Sequence, residues 1–362
     1  MPVQLSPFDY TGPLPPALVR GRDDLLADLT ERVTSRSPTA LLGPRRYGKT
    51  SVLQRLAADL TESTVIAVDL MPAQTSNDVA RALAKALLDT GADLARHATE
   101  VSATLGFNLV GLRGQVTSTR PADRPDPAAA YANLVDTLVK TALRRPTVIV
   151  FDEFQQLATV PNGTAVLRAA LQHHYKDIGL LFAGSEPSAM RDIFSNHAQP
   201  FLHQAQIVEI GPLDLPATQR IVNDGFTASG RTPGAVASLI HQFTRGHPLR
   251  TMQAAHAAWL HATSDPADST WGTALTTIRT SARPEVSAVY EQLPATHQRT
   301  LRVIAHRRSA LGVAGELVNL SKGSAQGARR SLHAHGHLVD VDGSLQVTDP
   351  FLADWLVETH PL

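Results

Sequence analysis

The chain contains no cysteine, which excludes disulfide bonds, cysteine-ligated zinc sites and thiol catalysis. No apolar run approaches the roughly eighteen residues that a membrane-spanning helix requires. The first residues, Met-Pro-Val-Gln-Leu-Ser, lack the basic and apolar regions of a secretory signal peptide. These absences predict a cytoplasmic protein without a membrane partner.

Net charge is also lacking, because 33 basic residues balance 33 acidic ones. Any affinity for nucleic acid would therefore come from a local basic patch rather than from the charge of the whole chain. The apolar share of 43% supports a real hydrophobic core. A length of 362 residues is enough for two domains with a lid between them.

One stretch matches G-x-x-x-x-G-K-[ST], the phosphate-binding P-loop, between an apolar strand at 39–42 and the start of a helix. Its glycines allow a tight turn, and its lysine, one of only five in the chain, can reach the β- and γ-phosphates of ATP. The threonine can ligate Mg²⁺, and the following serine is expected near the α-phosphate. The predicted ATP/ADP-binding residues are Gly43, Pro44, Arg45, Arg46, Tyr47, Gly48, Lys49, Thr50 and Ser51.

A second informative stretch is the β-branched and aromatic strand at 147–151, which ends in Asp152 and Glu153. This is the Walker B arrangement, in which Asp152 holds Mg²⁺ and Glu153 polarises the attacking water. Ser185 follows another apolar strand, where it can contact the γ-phosphate or the water. The alternatives are a purely structural acidic pair and a helix cap at Ser185.

Five strand candidates alternate with helices, which predicts an α/β fold with a five-stranded parallel sheet covered on both faces. Residues 91–126 break this pattern and are interpreted as a variable excursion. A purely helical region follows the last strand and is interpreted as a lid. Within the lid, His247 and Pro248 begin a helix whose N-terminus could face the nucleotide, or which is an ordinary helix start. The predicted domains are 1–213, 214–282 and 283–362.

The last domain is predicted to contain three helices and a hairpin that turns at Asp342-Gly343, the order of a winged helix. Basic residues outnumber acidic ones there, since Glu316 is the only acid between residues 296 and 339. Duplex DNA is therefore a possible partner, and a packing arm is the alternative. The predicted DNA contacts are Arg302, Arg307, Arg308, Lys322, Arg329 and Arg330.

These motifs together resemble the archaeal-type ATPase family, which is related to the STAND and origin-recognition ATPases. The resemblance covers about residues 17–355 and rests on Gly-Arg-Asp-Asp at 21–24, the P-loop, Asp-Glu-Phe-Gln at 152–155, Ala-Gly-Ser at 183–185 and Gly-His-Pro at 246–248. It implies an AAA-type (ASCE) P-loop core with an extra strand between the Walker A and Walker B strands, a helical lid and a C-terminal winged helix. It also implies that Arg22 lies on the adenine side of the nucleotide.

One position departs from the family pattern. Gln204 occupies the place where relatives carry an arginine that resembles an arginine finger, and glutamine cannot supply a cation. Slow hydrolysis is expected, unless Arg191, Arg250 or a partner supplies the charge. Three functions remain open: an ATP-dependent switch for a protein partner or for self-assembly, a DNA-binding ATPase, and a non-hydrolysing nucleotide-binding scaffold.

Overall fold

The computed structural model describes residues 5–90, 126–262, 266–341 and 343–362. The chain divides into two compact units. Of the described residues, those within 24–43 and 52–210 form the first unit, and those within 1–23, 44–51 and 211–362 form the second. Almost all of the excursion that the sequence predicts at 91–126 lies outside the described residues.

The first unit is built on a five-stranded parallel sheet with the strand order β2-β3-β4-β1-β5. This arrangement confirms the predicted sheet, and β4 lies between β1 and β3, as the family resemblance implies. Every residue of β1 and of β4 is buried, as expected of parallel strands with helices on both faces. The strands are β1 (Thr39–Leu42), β2 (Thr64–Asp69), β3 (Thr147–Asp152), β4 (Gly179–Gly184) and β5 (Gln206–Glu209).

Helices flank these strands, and we number them along the described residues. An aromatic cluster of Phe151, Phe154, Phe182, Phe194 and Phe201 packs around a short 3₁₀-helix at Phe154–Thr159, with ring centroids 4.7 Å apart at the closest pair. Because Phe154 is fully buried, this cluster anchors the chain directly after β3. The helices are α1 (Asp23–Thr34), α2 (Lys49–Asp59), α3 (Ser76–Asp89), α4 (Pro127–Ala142), α5 (Gly163–Leu171) and α6 (Pro187–Ser195).

The second unit is mainly helical. Apolar residues from its first helices and from its C-terminal elements form one continuous hydrophobic core. The helix Trp271–Glu291 runs without interruption through residues 282 and 283, where a domain boundary is predicted from the sequence. The helices are α7 (Leu215–Ala228), α8 (Val236–Thr244), α9 (Pro248–His261), α10 (Trp271–Glu291), α11 (Ala295–Ala305), α12 (Val313–Leu317), α13 (Lys322–Ala334) and α14 (Pro350–Thr359).

A two-stranded antiparallel hairpin, β6 (Leu338–Val341) and β7 (Ser344–Val347), follows α13. Three helices and a hairpin are therefore present in the predicted order, and α14 follows them. At the turn, Gly343 has a φ of 76°, a left-handed conformation that favours glycine, and its N–H donates to Asp340 Oδ1 at 2.8 Å. Asp342 lies outside the described residues.

Candidate nucleotide-binding and hydrolysis site

The two glycines of the P-loop serve different physical purposes. Gly48 has a φ of 83° and open space beside it, so its backbone conformation is what requires glycine. Gly43 does not have positive φ; a Cβ there would lie 2.2 Å from Ile210 Cγ2. The expectation that both glycines permit a tight turn therefore holds for Gly48, whereas Gly43 is required by close packing in the first unit.

Lys49 is the first residue of α2, immediately after the left-handed Gly48. The lysine is 5% exposed, and its ammonium group donates to the carbonyl oxygen of Pro44 at 2.9 Å. The Lys49 side chain therefore extends back across the P-loop to its second residue. Thr50 and Ser51 occupy the next positions of the same helix, and Ser51 Oγ accepts a hydrogen bond from Leu14 N at 2.9 Å.

His247 contacts the P-loop within the second unit. Its ring lies edge to face against the ring of Tyr47, with centroids 4.9 Å apart, and both side chains are buried. His247 is the N-cap of α9, where Nδ1 accepts from Arg250 N at 3.4 Å, and Pro248 is the first helical residue. Burial lowers the pKa of His247 to about 4, so the imidazole is neutral near pH 7.

An ion-pair network extends from the P-loop through the second unit. Arg46 pairs with Glu285 of α10, and Glu285 also accepts from Arg250 of α9 at 3.0 Å. Arg250 is 1% exposed and donates through Nε to Asp349, the N-cap of α14, at 3.0 Å. Burial alone would raise the pKa of Asp349, but the hydrogen bonds and charge of Arg250 outweigh it and lower that pKa.

The ion pairs of this chain also involve the two arginines that could replace the missing arginine finger. Arg250 is buried and bound by two carboxylates, and Arg191 pairs with Glu209 in the first unit. Gln204 donates from its side-chain amide to the carbonyl of Leu202 at 3.1 Å. Both candidate arginines are therefore already engaged within this chain.

The Walker B residues of the first unit form a compact hydrogen-bonded group. Glu153 adopts left-handed backbone angles, φ 54° and ψ 43°, and Asp152 Oδ1 accepts from Glu153 N at 3.0 Å. Glu153 Oε2 accepts from Ser185 Oγ at 2.6 Å and from Ser185 N at 3.3 Å. The structure thus brings together Glu153 and Ser185, two residues that the sequence predicts to act in hydrolysis.

Gln155 is a third member of this group, one that was not predicted from the sequence. Its side-chain amide donates to Glu153 Oε2 and lies 3.5 Å from Ser185 Oγ. The side chain is 4% exposed, and its Oε1 has no hydrogen-bond partner among the described residues. A Cβ on Gly184 would lie 2.5 Å from that oxygen, so glycine leaves room for the amide. The sequence feature that could have identified Gln155 is its position two residues after Glu153.

Other predicted site residues are engaged by the protein itself. Arg22 donates to the carbonyl oxygens of Gly211 at 2.9 Å and Pro212 at 3.4 Å, and burial lowers its pKa to about 10. Arg302, a predicted DNA contact, donates to the carbonyls of His360, at 3.2 Å, and Pro361. Arg302 therefore binds the C-terminal end of the chain in this structure.

Comparisons with known proteins agree with this architecture. Residues 18–183 match the family of the AAA ATPase domain. This stretch is an AAA ATPase domain. The chain thus contains an AAA-type P-loop ATPase domain, and a comparison with curated proteins gives no match.

The ATPase also resembles solved structures over nearly its whole length. A Walker-type ATPase of Pyrococcus abyssi aligns with a TM-score of 0.69 at 17% identity, covering 97% of this chain and 99% of that one. The ORC1 protein of Aeropyrum pernix, in complex with DNA, aligns with a TM-score of 0.51 at 18% identity, covering 97% and 94%. At such identities the likeness concerns the fold. No helix within the described ranges is both long and apolar enough to cross a membrane.

Proposed function

We propose that this ATPase is a nucleotide-dependent molecular switch whose state is read by a protein partner. The observation that carries the proposal is the ion-pair network that begins at Arg46 in the P-loop. Through Glu285 and Arg250 it reaches Asp349 at the start of α14. A change at the phosphate-binding loop thus has a direct electrostatic route into the C-terminal elements of the second unit.

The residues of the loop are suited to nucleotide phosphates. Gly48 and Arg46 both have left-handed backbone angles just before α2, a geometry that directs successive N–H groups toward an anion at a helix N-terminus. In this proposal Lys49 binds the β- and γ-phosphates. Pro44, Arg45, Tyr47 and Ser51 complete the loop around them.

The proposed metal is Mg²⁺, which prefers oxygen ligands. Thr50 in the first turn of α2 offers a hydroxyl, and Asp152 at the end of β3 offers a carboxylate. When bound, the metal would neutralise charge on the β- and γ-phosphates. We also retain the prediction that Arg22, His247 and Pro248 bind the nucleotide.

Slow hydrolysis fits the group around Glu153. In the proposed reaction Glu153 orients the attacking water, and Ser185 and Gln155 hold the carboxylate through one of its oxygens. The three positions considered for a finger offer no additional cation, because Arg191 and Arg250 are ion-paired and Gln204 is uncharged. A slow enzyme spends a long time in its ATP state, as a switch requires.

The proposal is tested with Lys49→Ala and Glu153→Gln. Lys49→Ala should weaken ATP binding, whereas Glu153→Gln should retain binding and lose turnover. Hydrogen exchange of α9, α10 and α14 is then compared between Glu153→Gln with ATP and the wild type with ADP. A partner can read the switch only if the two states differ, so identical exchange in these helices would refute it.

Duplex DNA is a second candidate partner, through a winged helix formed by α11–α13 and the β6–β7 hairpin. Arg307, Arg308 and Arg330 are exposed and form no ion pair with an acidic residue of the described chain. Lys322 and Arg329 extend this basic surface. DNA affinity that falls steeply with salt, and is lost in an Arg329→Glu, Arg330→Glu double variant, would support this candidate. DNA affinity that changes neither with salt nor in the double variant would exclude this candidate.

A further inference from the structure

A cavity of about 900 Å³ opens within the second unit, where α8, the end of α11, the β6–β7 hairpin and α14 meet. We call it the basic groove. Four arginines line it, Arg245, Arg307, Arg308 and Arg329, and a volume of this size is typical of ligand-binding clefts. Neither the P-loop nor the Glu153 group contributes to its lining.

The charge of the groove is unbalanced. Within the described residues, Arg307, Arg308 and Arg329 form no ion pair with any carboxylate. Asp354 also lines the groove, but Arg279 binds both of its oxygens at 2.9 Å. A concave surface with uncompensated guanidinium groups attracts anionic groups, and arginine is suited to binding carboxylates through two parallel hydrogen bonds.

Backbone conformation at two of the arginines adds a separate observation. Arg245 and Arg307 follow the ends of α8 and α11 with φ values of 51° and 55°, a conformation in which glycine is preferred. A non-glycine residue there costs about 1–2 kcal/mol. Arg245 uses its side chain to bind Gln346 and Val347, but Arg307 makes no side-chain hydrogen bond in the described structure. The left-handed backbone at Arg307 ends α11, because Arg307 N donates to Ile304 O at 2.8 Å and Arg308 N donates to Val303 O at 3.1 Å, and it leaves the Arg307 side chain at the groove.

Apolar side chains lie beside the arginines in the same groove. Phe243 packs edge to face against Trp271, with centroids 6.1 Å apart, and both are partly exposed. Val357 on α14 is 46% exposed. The groove lining therefore combines aromatic and aliphatic side chains with arginines, and aromatic residues and arginine are enriched in protein–protein interfaces.

We propose that the basic groove binds an acidic peptide segment of a partner protein, one that carries a large apolar side chain between aspartate or glutamate residues. The apolar side chain would lie against Phe243, Trp271 and Val357, and its acidic neighbours would pair with Arg307, Arg308 and Arg329. A DNA duplex presents its charge on phosphates along a convex surface and has no apolar side chain to lie against Phe243, Trp271 and Val357. The proposal rests on the proposed function, since it names the partner chemistry that a switch would control.

The test begins with a phage-displayed library of random twelve-residue peptides selected on the full-length protein. Selected peptides should be enriched in aspartate and glutamate next to leucine, phenylalanine or tryptophan. Their affinity is then measured by fluorescence polarisation. Arg329→Glu should weaken binding about tenfold or more, corresponding to about 1.4 kcal/mol. Val357→Ser should also weaken it.

Matched controls are available in the same unit. Arg330→Glu makes the same charge change at the next residue of α13 but outside the groove lining, and Val289→Ser changes an exposed valine of α10. Both should leave peptide affinity within about twofold. The affinity of each variant for a 20-base-pair DNA duplex is also measured. If α13 binds phosphates, this affinity should weaken in Arg329→Glu and Arg330→Glu alike.

The outcomes separate this proposal from the proposed function. Failure to select acidic peptides, or equal effects of Arg329→Glu and Arg330→Glu on the selected ones, would overturn the groove assignment. Peptide affinity that depends on Arg329 but is equal with ATP and with ADP would support the groove and contradict the switch.

Discussion

The hydroxyl of Ser185 donates to Glu153 Oε2 at 2.6 Å, across two parallel strands that are neighbours in the sheet. Both side chains are buried, and the backbone N–H of Ser185 donates to the same oxygen at 3.3 Å. Glu153 is therefore oriented by the chain that follows β4. Its orientation is determined by tertiary contacts rather than by its own neighbours alone.

Removing this hydroxyl should slow hydrolysis. Ser185→Ala leaves Glu153 with fewer donors, so the base is less well oriented, and we expect kcat for ATP to fall by about tenfold or more. The KM for ATP should change little, because Ser185 is proposed to act on the base. Steady-state phosphate release measures both constants. Ser195→Ala, at the exposed end of α6, is the control, and an unchanged kcat in Ser185→Ala would contradict the orienting role.

Two glycine substitutions should change stability in opposite directions. In Gly184→Ala the new methyl would lie 2.5 Å from Gln155 Oε1 and 2.4 Å from Met190 Cγ, so overpacking should cost about 1–3 kcal/mol. Gly327→Ala in α13 meets no atom within 4 Å and should stabilise the helix by about 0.5–1 kcal/mol. Urea unfolding followed by circular dichroism compares them. Equal stability of the two variants would show that the space beside Gly184 is larger than the structure indicates.

His247 should make stability depend on pH. Its folded-state pKa, lowered to about 4 by burial, is below its ordinary value of 6.5, so protonation favours the unfolded chain. The stabilising contribution is complete above pH 6.5 and is lost as pH falls from 6.5 toward 4, by about 3 kcal/mol at most. His247→Gln should lose less stability than the wild type over that range. The free energy of unfolding is measured at pH 7 and pH 4.5, and His197→Gln, at an exposed histidine, is the control. Equal losses of stability in the wild type and in His247→Gln would refute the prediction.

Glu285 should oppose nucleotide binding through its charge. Glu285→Gln removes a carboxylate that pairs with Arg46 of the P-loop, so Arg46 gains freedom to contact phosphate. We expect the Kd for ATP to fall severalfold at low salt, with a smaller effect at high salt because the charges are screened. Titration with a fluorescent ATP analogue measures it. Glu291→Gln, at the exposed end of α10, is the control, and an unchanged Kd would show that the Arg46–Glu285 pair does not influence the loop.

The same substitution should weaken the second unit. Arg250 is almost completely buried and is held by Glu285 and Asp349, so losing one carboxylate leaves its charge less compensated. Because Glu285 is partly exposed, we expect a cost of about 1–3 kcal/mol, less than for a fully buried pair. Urea unfolding of Glu285→Gln against Glu291→Gln measures the cost.

Much of the fold follows from local patterns. Short apolar runs predicted β1 to β5, and the alternation of these strands with helices predicted a parallel sheet. The helix starts at Lys49 and Pro248 follow from the P-loop pattern and from proline at a first helical position. In the C-terminal elements, apolar spacing and an Asp-Gly turn predicted three helices and a hairpin.

The sequence by itself was enough to predict the nucleotide chemistry, because the P-loop and the Asp152-Glu153 pair each lie within one short strand–loop segment. Only the tertiary structure decided how those residues are held. Gln155 and Gly184, the pair of Arg46 with Glu285, and the binding of Arg250 by Asp349 join positions separated by 29 to 239 residues. Such contacts form only when segments that are distant in the sequence pack together. A local residue pattern does not indicate which segments those are.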